Sequence, residues 1–303
     1  MKIIMLVGLP GSGKSTYAKH IKNENTITIS SDEIREELLD NVNDQTNNTL
    51  VFETVNNRVI EHLQKKDFST IIVDATNLSR KYRMNFLNRI KKFNVEKQCM
   101  VIAAPYEDCL DNNKSRERVV PEEVMRKMYL RFEIPQYFEG WDAIDFELKY
   151  DREMYDLSGS FCDNLNISQD NKYHTKTIKD HCFECFRYLQ DRNYAKVLRV
   201  AGYCHDFGKV FTKKFENYKG EKTEDAHYYH HENVSTYLAM FIIDYNFGSF
   251  TKDEYLLILG LIQYHMRPHH LKTEKSIAKF VNMVGEKFWK GLLILNEADN
   301  DAR

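Results

Sequence analysis

Two sets of residues in this sequence have the types and spacing that phosphate chemistry requires. One is the segment GLPGSGKS at residues 8–15, which matches the pattern GxxxxGK[ST] and follows the apolar run 3–7. The other set consists of His181, His205, Asp206, His231, His265 and Asp299. Backbone amides of a glycine-rich loop can bind the phosphates of a nucleoside triphosphate. Imidazole and carboxylate groups can hold metal ions that activate water. The chain therefore combines residues suited to adding a phosphate with residues suited to removing one.

The glycine-rich loop predicts a nucleotide site. Glycines let consecutive N–H groups turn toward the phosphates, and the positive end of the following helix adds to the attraction. Lys14 is expected to reach the β- and γ-phosphates and act in the transfer, and Ser15 to coordinate Mg²⁺. The expected cofactor is ATP, or another nucleoside triphosphate, with Mg²⁺. The loop residues expected to bind it are Gly8, Gly11, Ser12, Gly13, Lys14, Ser15 and Thr16.

Acidic residues follow two of the predicted strands. Asp32 comes shortly after the run 26–29, and Asp74 ends the run 71–73. Ligands of open α/β sheets bind at the carboxyl ends of the strands. Asp32 can accept the proton of an attacking hydroxyl group, since phosphoryl transfer requires little beyond positioning and a modest base. Capping a helix is the alternative role for Asp32. Asp74 is expected near Mg²⁺ or near the phosphate acceptor, and we count it with the cofactor-binding residues.

Arginines near these carboxylates are candidate phosphate contacts. Arg35 lies three residues after Asp32, one helical turn away, and can hold a phosphate of the acceptor. Arg116 and Arg118 precede a predicted helix, as in the lid segment of P-loop kinases. There they can stabilise charge on the transferred phosphoryl group, and an ordinary solvated basic face is the alternative. Arg126 is a third candidate for the lid.

Alternating helices and strands are expected to position the first set of residues. Segments such as 50–65 and 81–91 have the spacing of helices. The predicted strands are the runs 3–7, 26–29, 71–73 and 99–103, with a last strand formed by alternating apolar residues at 146, 148 and 150. This alternation predicts an α/β domain, with a parallel sheet covered by helices on both faces.

A change in composition predicts the domain boundary. Residues 156–171 are rich in Ser, Gly, Asn and Asp, which indicates a linker between a domain at 1–155 and a domain at 172–303. The segments after the linker carry apolar residues at three- and four-residue intervals, which predicts an all-α domain. Cys182 and Cys185 form a lone CxxC, and we interpret them as two small residues on one helix face, because no second pair completes a zinc site.

The composition sets further limits. A length of 303 residues fits two domains, and 42% hydrophobic with 29% charged residues is typical of a soluble globular protein. The net charge of −2 creates no general attraction for long nucleic acids, so a nucleic-acid end or a small phosphorylated ligand requires a local basic pocket. Six cysteines without a secretory signal predict reduced thiols in a cytoplasmic protein. No apolar run reaches transmembrane length, so no membrane association is expected.

Several segments of the first half together resemble the phage-type polynucleotide 5′-kinases, which are P-loop phosphotransferases. They are SSDEIR at 30–35, VDATNL at 73–78, the arginine-rich segment that leads into VPxxV at 120–124, and the residues from Pro135 to Trp141. The resemblance covers roughly residues 1–150. It implies phosphorylation of 5′-hydroxyl ends of RNA or DNA, with Asp32 as the general base. It also implies that Arg35 contacts the phosphate next to the 5′ end.

The second half resembles the HD superfamily of metal-dependent phosphohydrolases over roughly residues 172–303. The matching segments are KDHCFE at 179–184, CHDFGK at 204–209 and NEADNDAR at 296–303. The resemblance implies an all-α HD domain that binds one or two divalent transition metal ions. The ligands that it implies for a first ion are His181, His205, Asp206 and Asp299. His231 in HHENVS and His265 in QYHMRP fit the places of the ligands to a second ion, and the nearby Lys209 and Arg267 can bind a phosphate.

A 5′-kinase joined to a phosphohydrolase resembles the enzymes that heal RNA ends, and among them the fused HD and polynucleotide kinase proteins. The combination implies ATP-dependent phosphorylation of 5′-hydroxyl ends and metal-dependent removal of a 3′-phosphate or 2′,3′-cyclic phosphate. One alternative is a kinase of a small molecule or nucleotide joined to an HD nucleotidase. Another is an ATP-using kinase whose HD half only binds a nucleotide as a sensor. The expected partners are RNA or DNA ends and a nucleoside triphosphate.

Overall fold

The computed structural model describes residues 1–39, 47–116, 118–157, 160–172 and 175–303. Its backbone divides into two compact units, Met1–Tyr150 and Asp151–Arg303. Among the described residues, no helix is both long and apolar enough to cross a membrane. All six cysteines are buried free thiols, including Cys182 and Cys185 of the lone CxxC.

A five-stranded parallel sheet forms the centre of the first unit, as the sequence predicts. Its strands are β1 (Lys2–Val7), β2 (Thr26–Ser30), β3 (Thr70–Asp74), β4 (Glu96–Ala103) and β5 (Ala143–Leu148). The flanking helices are α1 (Lys14–Ile21), α2 (Ser31–Leu39), α3 (Asn48–Lys65), α4 (Arg80–Ile90), α5 (Tyr106–Lys114) and α6 (Glu122–Leu130). The last strand begins at Ala143 and ends at Leu148, so it starts earlier than the alternation at 146–150 indicated.

The order of the strands, β2-β3-β1-β4-β5, brings the functional segments to one edge of the sheet. Strand β1 is almost completely buried from Ile3 to Val7, as a central strand with helices on both faces must be. In the register of β2 and β3, Ser30 pairs with Asp74. The P-loop follows β1, the segment of Asp32 follows β2, and Asp74 ends β3. Ligands of doubly wound sheets bind at this edge.

Helices dominate the second unit. They are α7 (Ser160–Asn164), α8 (Ile178–Asp191), α9 (Lys196–Cys204), α10 (Lys209–Thr212), α11 (His231–Asn246), α12 (Lys252–Tyr264), α13 (Arg267–His270), α14 (Glu274–Val284) and α15 (Glu286–Asp301). The long central helices α11 and α12 bury most of their side chains. Because both are apolar around most of their circumference, they form a buried centre that α9, α10 and α15 contact, while α8 packs against α9 and α15.

The prediction of a purely helical second domain is wrong at one place. An antiparallel hairpin of β6 (Lys214–Glu216) and β7 (Lys222–His227) lies between α10 and α11. Its turn is fixed by Asn217, whose side-chain oxygen accepts hydrogen bonds from the backbone N–H groups of Lys219 and Glu221. Gly220 has a φ of +82° in the same turn. The strand residues are largely exposed and charged, so the apolar alternation by which strands are identified is missing.

The polar stretch 156–171 falls inside the second unit, although its composition indicates a linker. Residues 158 and 159 lie outside the described residues. Leu165 and Gln169 are each only 1% exposed. The Gln169 side-chain oxygen accepts a hydrogen bond of 2.8 Å from Lys209 Nζ, so this polar residue is satisfied inside the fold. A polar composition is typical of linkers, but it also fits a short ordered segment whose polar groups find partners.

Candidate active sites

The P-loop lies close to neighbouring backbone, which explains its glycines. A Cβ atom at Gly8 would overlap the carbonyl oxygen of Ile102, and one at Gly11 would overlap that of Cys109. Gly11 and Gly13 also have positive φ angles of +80° and +98°, which other residues rarely adopt. Gly13 is the residue before α1, so the loop delivers its N–H groups to the N-terminus of that helix.

Lys14 is a buried ammonium group at this loop. Its side chain is 8% exposed, and Nζ donates a hydrogen bond of 2.7 Å to the carbonyl oxygen of Leu9. Burial lowers its pKa to about 8, although the negative charge of Asp74 opposes the shift. A buried lysine that keeps its charge costs stability unless an anion compensates it. The position of Lys14 therefore suits a group that binds phosphate.

This burial predicts that Lys14→Met stabilises the protein in the absence of nucleotide. The unfolded chain keeps the Lys14 proton up to a pKa of 10.5, whereas the folded protein releases it near 8. Stability therefore rises with pH between these values, and the full cost of the buried charge is present below pH 8. At pH 7 we expect a Tm increase of at least about 2–4 °C, the shift produced by ~1 kcal/mol in a protein of moderate size.

The measurement is thermal unfolding at pH 7 and pH 10, with Lys19→Met as the control. Lys19 is an exposed lysine on the same helix. The gain from Lys14→Met should shrink at pH 10, where the wild-type lysine is already neutral. A lower Tm for Lys14→Met than for Lys19→Met at pH 7 would contradict the interpretation.

Asp32 lies opposite two arginines. Its Oδ2 lies 3.2 Å from Arg116 Nη2, and its Oδ1 accepts a hydrogen bond from Arg118 Nη1. The alternative role of helix cap falls instead to Ser30, whose Oγ accepts hydrogen bonds from the N–H groups of Asp32 and Glu33. The carboxylate of Asp32 is therefore turned toward the arginines, and the side chain remains about a third exposed, at 35%.

A cavity of about 620 Å³ connects these groups. The lining includes eleven of the residues that the sequence predicted for this site: Gly11, Ser12, Gly13, Lys14, Ser15, Thr16, Asp32, Arg35, Asp74, Arg116 and Arg118. Arg35 is buried, at 3% exposure. Among the described residues that line the cavity, neither Gly8 nor Arg126 is present. Gly8 instead allows the close approach of β1 to β4, and Arg126 lies on α6.

The cavity has further lining residues that no sequence motif indicated, among them Asn48, Phe52, Asn112 and Lys149. Lys149 directly follows β5, and its Nζ would lie 3.1 Å from a Cβ placed on Gly13. The rule that drew attention to Asp32 and Asp74, a polar residue at the carboxyl end of a parallel strand, also applies to Lys149. Asn112 donates a hydrogen bond of 3.0 Å to the carbonyl oxygen of Gly11 and so supports the P-loop.

The second unit brings six buried ligand-type residues together. They are His181 on α8, His205 and Asp206 after α9, His231 at the start of α11, His265 after α12, and Asp299 on α15. Gly208 allows this convergence, because a Cβ there would overlap the carbonyl oxygen of His231. Its N–H also donates a hydrogen bond of 2.8 Å to Ser235 Oγ on α11. The glycine of the CHDFGK segment thus holds the His-Asp turn against α11.

Each of the four histidines is oriented by a backbone carbonyl. His181 Nδ1 lies 3.3 Å from the oxygen of Ala302, and His205 Nδ1 lies 2.7 Å from that of Gly202. His231 Nδ1 lies 2.7 Å from the oxygen of Tyr228, and His265 Nδ1 lies 2.8 Å from that of Ile262. A carbonyl oxygen only accepts, so each Nδ1 carries its proton and donates it. The Nε2 atoms then face the cluster, which is how metal-binding histidines are commonly fixed.

Asp206 connects two groups of ligand atoms. Its Oδ2 lies 3.3 Å from Nε2 of both His181 and His205, and its Oδ1 lies 3.2 Å from Nε2 of His231. Asp299 Oδ1 joins the first group, 3.1 Å from His181 Nε2. His265 joins the second, with its Nε2 3.1 Å from that of His231. Within each group the candidate ligand atoms lie within 4.8 Å of one another.

The charges in this cluster are strongly coupled. Burial alone would raise the pKa of Asp206, but the charges of His205 and Lys209 hold it well below its ordinary value. Burial lowers the pKa of His205, yet the carboxylates of Asp206 and Asp299 raise it to about 10. Burial and the neighbouring His231 lower the pKa of His265 well below its usual range. Two ionised carboxylates surrounded by inward-facing imidazoles fit a divalent cation.

The match to a family model lies in the first unit. Residues 3–135 match the family model "AAA domain". The chain is 30% identical over 155 residues to L-seryl-tRNA(Sec) kinase of Methanococcus maripaludis, which covers 47% of this chain and 57% of that protein. It is 25% identical over 165 residues to protein kti12 of Schizosaccharomyces pombe, which covers 50% of this chain and 58% of that protein. The chain thus spans less than two thirds of the length of these curated relatives.

Solved structures are similar over a comparable share of the chain. A chain of the Pnkp1/Rnl/Hen1 RNA repair complex has 23% identity and a TM-score of 0.37, and the match covers 42% of each chain. A gluconokinase from Sinorhizobium meliloti has 14% identity and a TM-score of 0.34, over 48% of this chain and 82% of that one. Together, the family match, the sequence relatives and the P-loop at the edge of a parallel sheet identify a P-loop kinase-like domain in the first unit.

Proposed function

We propose that this protein is a nucleic-acid end-healing enzyme. It phosphorylates 5′-hydroxyl ends of RNA or DNA with ATP, and it removes a 3′-phosphate or 2′,3′-cyclic phosphate with the help of metal ions. The proposal rests on one observation, the occurrence in one chain of two constellations. One is a carboxylate facing two arginines in the P-loop cavity, and the other is a paired His/Asp cluster.

In the kinase reaction, Asp32 accepts the proton of the 5′-hydroxyl group as that oxygen attacks the γ-phosphorus of ATP. The bond between the γ-phosphorus and the β,γ-bridging oxygen breaks, and ADP leaves. Lys14, Arg116 and Arg118 supply positive charge around the transferred group. Ser15 and Asp74 would hold Mg²⁺, which neutralises the triphosphate. Both line the same cavity as Asp32 and the arginines.

Arg35 supports a nucleic-acid acceptor over a small one. It lies one turn after Asp32 on α2 and lines the cavity, although it is only 3% exposed. A guanidinium group has a geometry that suits phosphate oxygens. The phosphate on the 3′ side of the terminal nucleoside would therefore bind Arg35 while its 5′-hydroxyl group faces Asp32.

This arrangement predicts that short 5′-hydroxyl oligonucleotides and 3′-phosphorylated nucleosides are better acceptors than free nucleosides. We expect kcat/KM to differ by roughly 10- to 150-fold, as a charged hydrogen bond contributes ~1.5–3 kcal/mol. Arg35→Gln should lower kcat/KM for the oligonucleotide toward that for the nucleoside. It should leave kcat/KM for the nucleoside nearly unchanged. Steady-state kinetics with labelled ATP measures both effects. Equal values in the wild type would favour a kinase of small hydroxyl compounds.

In the second unit, the donor set fits two divalent transition metal ions. His181, His205, Asp206 and Asp299 would hold one ion, and Asp206, His231 and His265 the other. Such ions would activate water and neutralise phosphate charge. Lys209 contributes a further cation, with Nζ 2.6 Å from Asp206 Oδ2, and can bind a phosphate oxygen of the substrate. These groups suit the hydrolysis of a phosphate monoester or a cyclic diester.

A further inference from the structure

Two groups among the residues that line the P-loop cavity differ in chemistry. One group consists of the loop amides and the cations, which suit phosphates. The other includes the larger apolar side chains of Phe52, Val120 and Met128. Phosphoryl transfer as such makes no use of an aromatic ring. The apolar group suits a ligand with an apolar face.

Phe52 belongs to the side of the cavity where the acceptor is expected. It lies on α3, which packs against α2, the helix of Asp32 and Arg35, and against the edge strand β2. The two residues that lie against the P-loop, Asn112 and Lys149, come from the opposite end of the strand order. Asn112 lies on α5, and Lys149 follows β5, the strand at the opposite edge. The ring of Phe52 is thus on the side of the general base Asp32, away from Asn112 and Lys149 at the triphosphate site.

The ring of Phe52 is held from within the fold. Its centroid lies 4.8 Å from that of Tyr82 on α4, with an angle of 60° between the ring planes, a tilted arrangement that aromatic pairs favour. Phe52 is half-buried and lines the cavity, so part of its surface remains available to a ligand. Asn48, one helical turn earlier on α3, also lines the cavity and carries an amide.

We infer that Phe52 is the platform on which the base of the 5′-terminal nucleoside stacks. This inference rests on the proposed kinase function and adds to it the recognition of the base. Three contacts then fix the acceptor: the base on Phe52, the 5′-hydroxyl group at Asp32, and the adjacent phosphate on Arg35. Stacking on an aromatic ring is tolerant of sequence, because every base has a π-face. The site would therefore accept all four bases at the 5′ end.

The test combines a change in the enzyme with a change in the substrate. Two short 5′-hydroxyl oligonucleotides are compared that differ only in an abasic residue at the 5′ end. Wild type should phosphorylate the intact oligonucleotide with a kcat/KM that is about 5- to 150-fold higher, the range that stacking of one base supports. Phe52→Leu should lose most of this preference by lowering the value for the intact substrate, while the value for the abasic one stays unchanged. Phe52→Tyr should retain it.

Two controls separate recognition of the base from damage to the fold. The KM for ATP should remain the same in Phe52→Leu. Phe93→Leu makes the same change at a half-buried aromatic residue outside the lining of the cavity, and it should keep the wild-type preference. Equal use of intact and abasic ends by wild type, or a preference unchanged in Phe52→Leu, would overturn the stacking platform alone. Failure of wild type to phosphorylate any nucleic-acid end would overturn the proposed kinase function as well.

Discussion

Asp206→Ala is expected to abolish removal of the 3′-phosphate and 2′,3′-cyclic phosphate while 5′-phosphorylation continues near the wild-type rate. Asp206 is the residue whose two carboxylate oxygens reach both groups of histidines, at 3.3 Å on one side and 3.2 Å on the other. Its loss should therefore release metal from both groups. We expect hydrolysis to fall by more than about 100-fold, because even groups that only orient metal ligands typically account for 10–100-fold.

Metal content and phosphate release are measured on the same preparations, with Asp191→Ala as the control. Asp191 is an exposed aspartate at the end of α8 in the same unit. His265→Ala adds a graded comparison, since His265 belongs to the second group only. If the protein holds two ions, metal content and hydrolysis should fall together in His265→Ala. If it holds one ion, both should stay nearly unchanged in this variant. Retention of metal and hydrolysis by Asp206→Ala would show that the cluster is not the hydrolytic site.

Asp32→Asn is expected to lower the rate of 5′-phosphorylation by roughly 10²–10⁴-fold, the usual contribution of a positioned general base. Asparagine keeps the shape of the side chain but cannot accept the proton of the hydroxyl group. The pairs with Arg116 and Arg118 also lose their charge, so the change removes both the base and its partner interactions. Hydrolysis at the 3′ end should be retained, because the metal cluster is built from residues of the second unit alone.

Glu33→Gln is the matched control for Asp32→Asn. Glu33 is the next residue on α2 and is exposed. Its substitution removes one carboxylate charge from the same helical turn. Single-turnover phosphorylation of a 5′-hydroxyl oligonucleotide distinguishes the two. A wild-type rate in Asp32→Asn would mean that another group accepts the proton.

The features that could be predicted from the sequence are those encoded by residues close together along the chain. The P-loop could be identified from eight consecutive residues, and the strands of the parallel sheet from short apolar runs. The position of Asp32 after β2 indicated that it lies at the ligand edge. Its contacts with Arg116 and Arg118 join residues 84 and 86 positions apart, and no local pattern predicts such a pairing. The role of Phe52 could not be predicted for the same reason, because in the sequence it looks like any apolar residue on an amphipathic helix.

The second half shows the same division between local and long-range features. Its ligand-type residues could be singled out by type and order, but their orientation could not. The carbonyl groups that turn the Nε2 atoms inward come from Gly202 and Ile262 in the last turns of α9 and α12, from Tyr228, and from Ala302 beside the last helix. The hairpin at 214–227 was missed because most of its strand residues are charged or polar, so the apolar alternation typical of a half-buried strand is missing.

In the proposed function, one chain adds a phosphate at one end of a nucleic acid and removes one at the other. The most direct measurement uses a short oligonucleotide with a 5′-hydroxyl group and a 3′-phosphate, incubated with ATP, Mg²⁺ and one of Mn²⁺, Ni²⁺, Co²⁺ or Zn²⁺. Mass spectrometry of the product identifies both ends. We expect a 5′-phosphate and a 3′-hydroxyl in wild type, only the 3′ change in Lys14→Ala, and only the 5′ change in Asp206→Ala. A wild-type product with both ends unchanged under all four metals would contradict the claim.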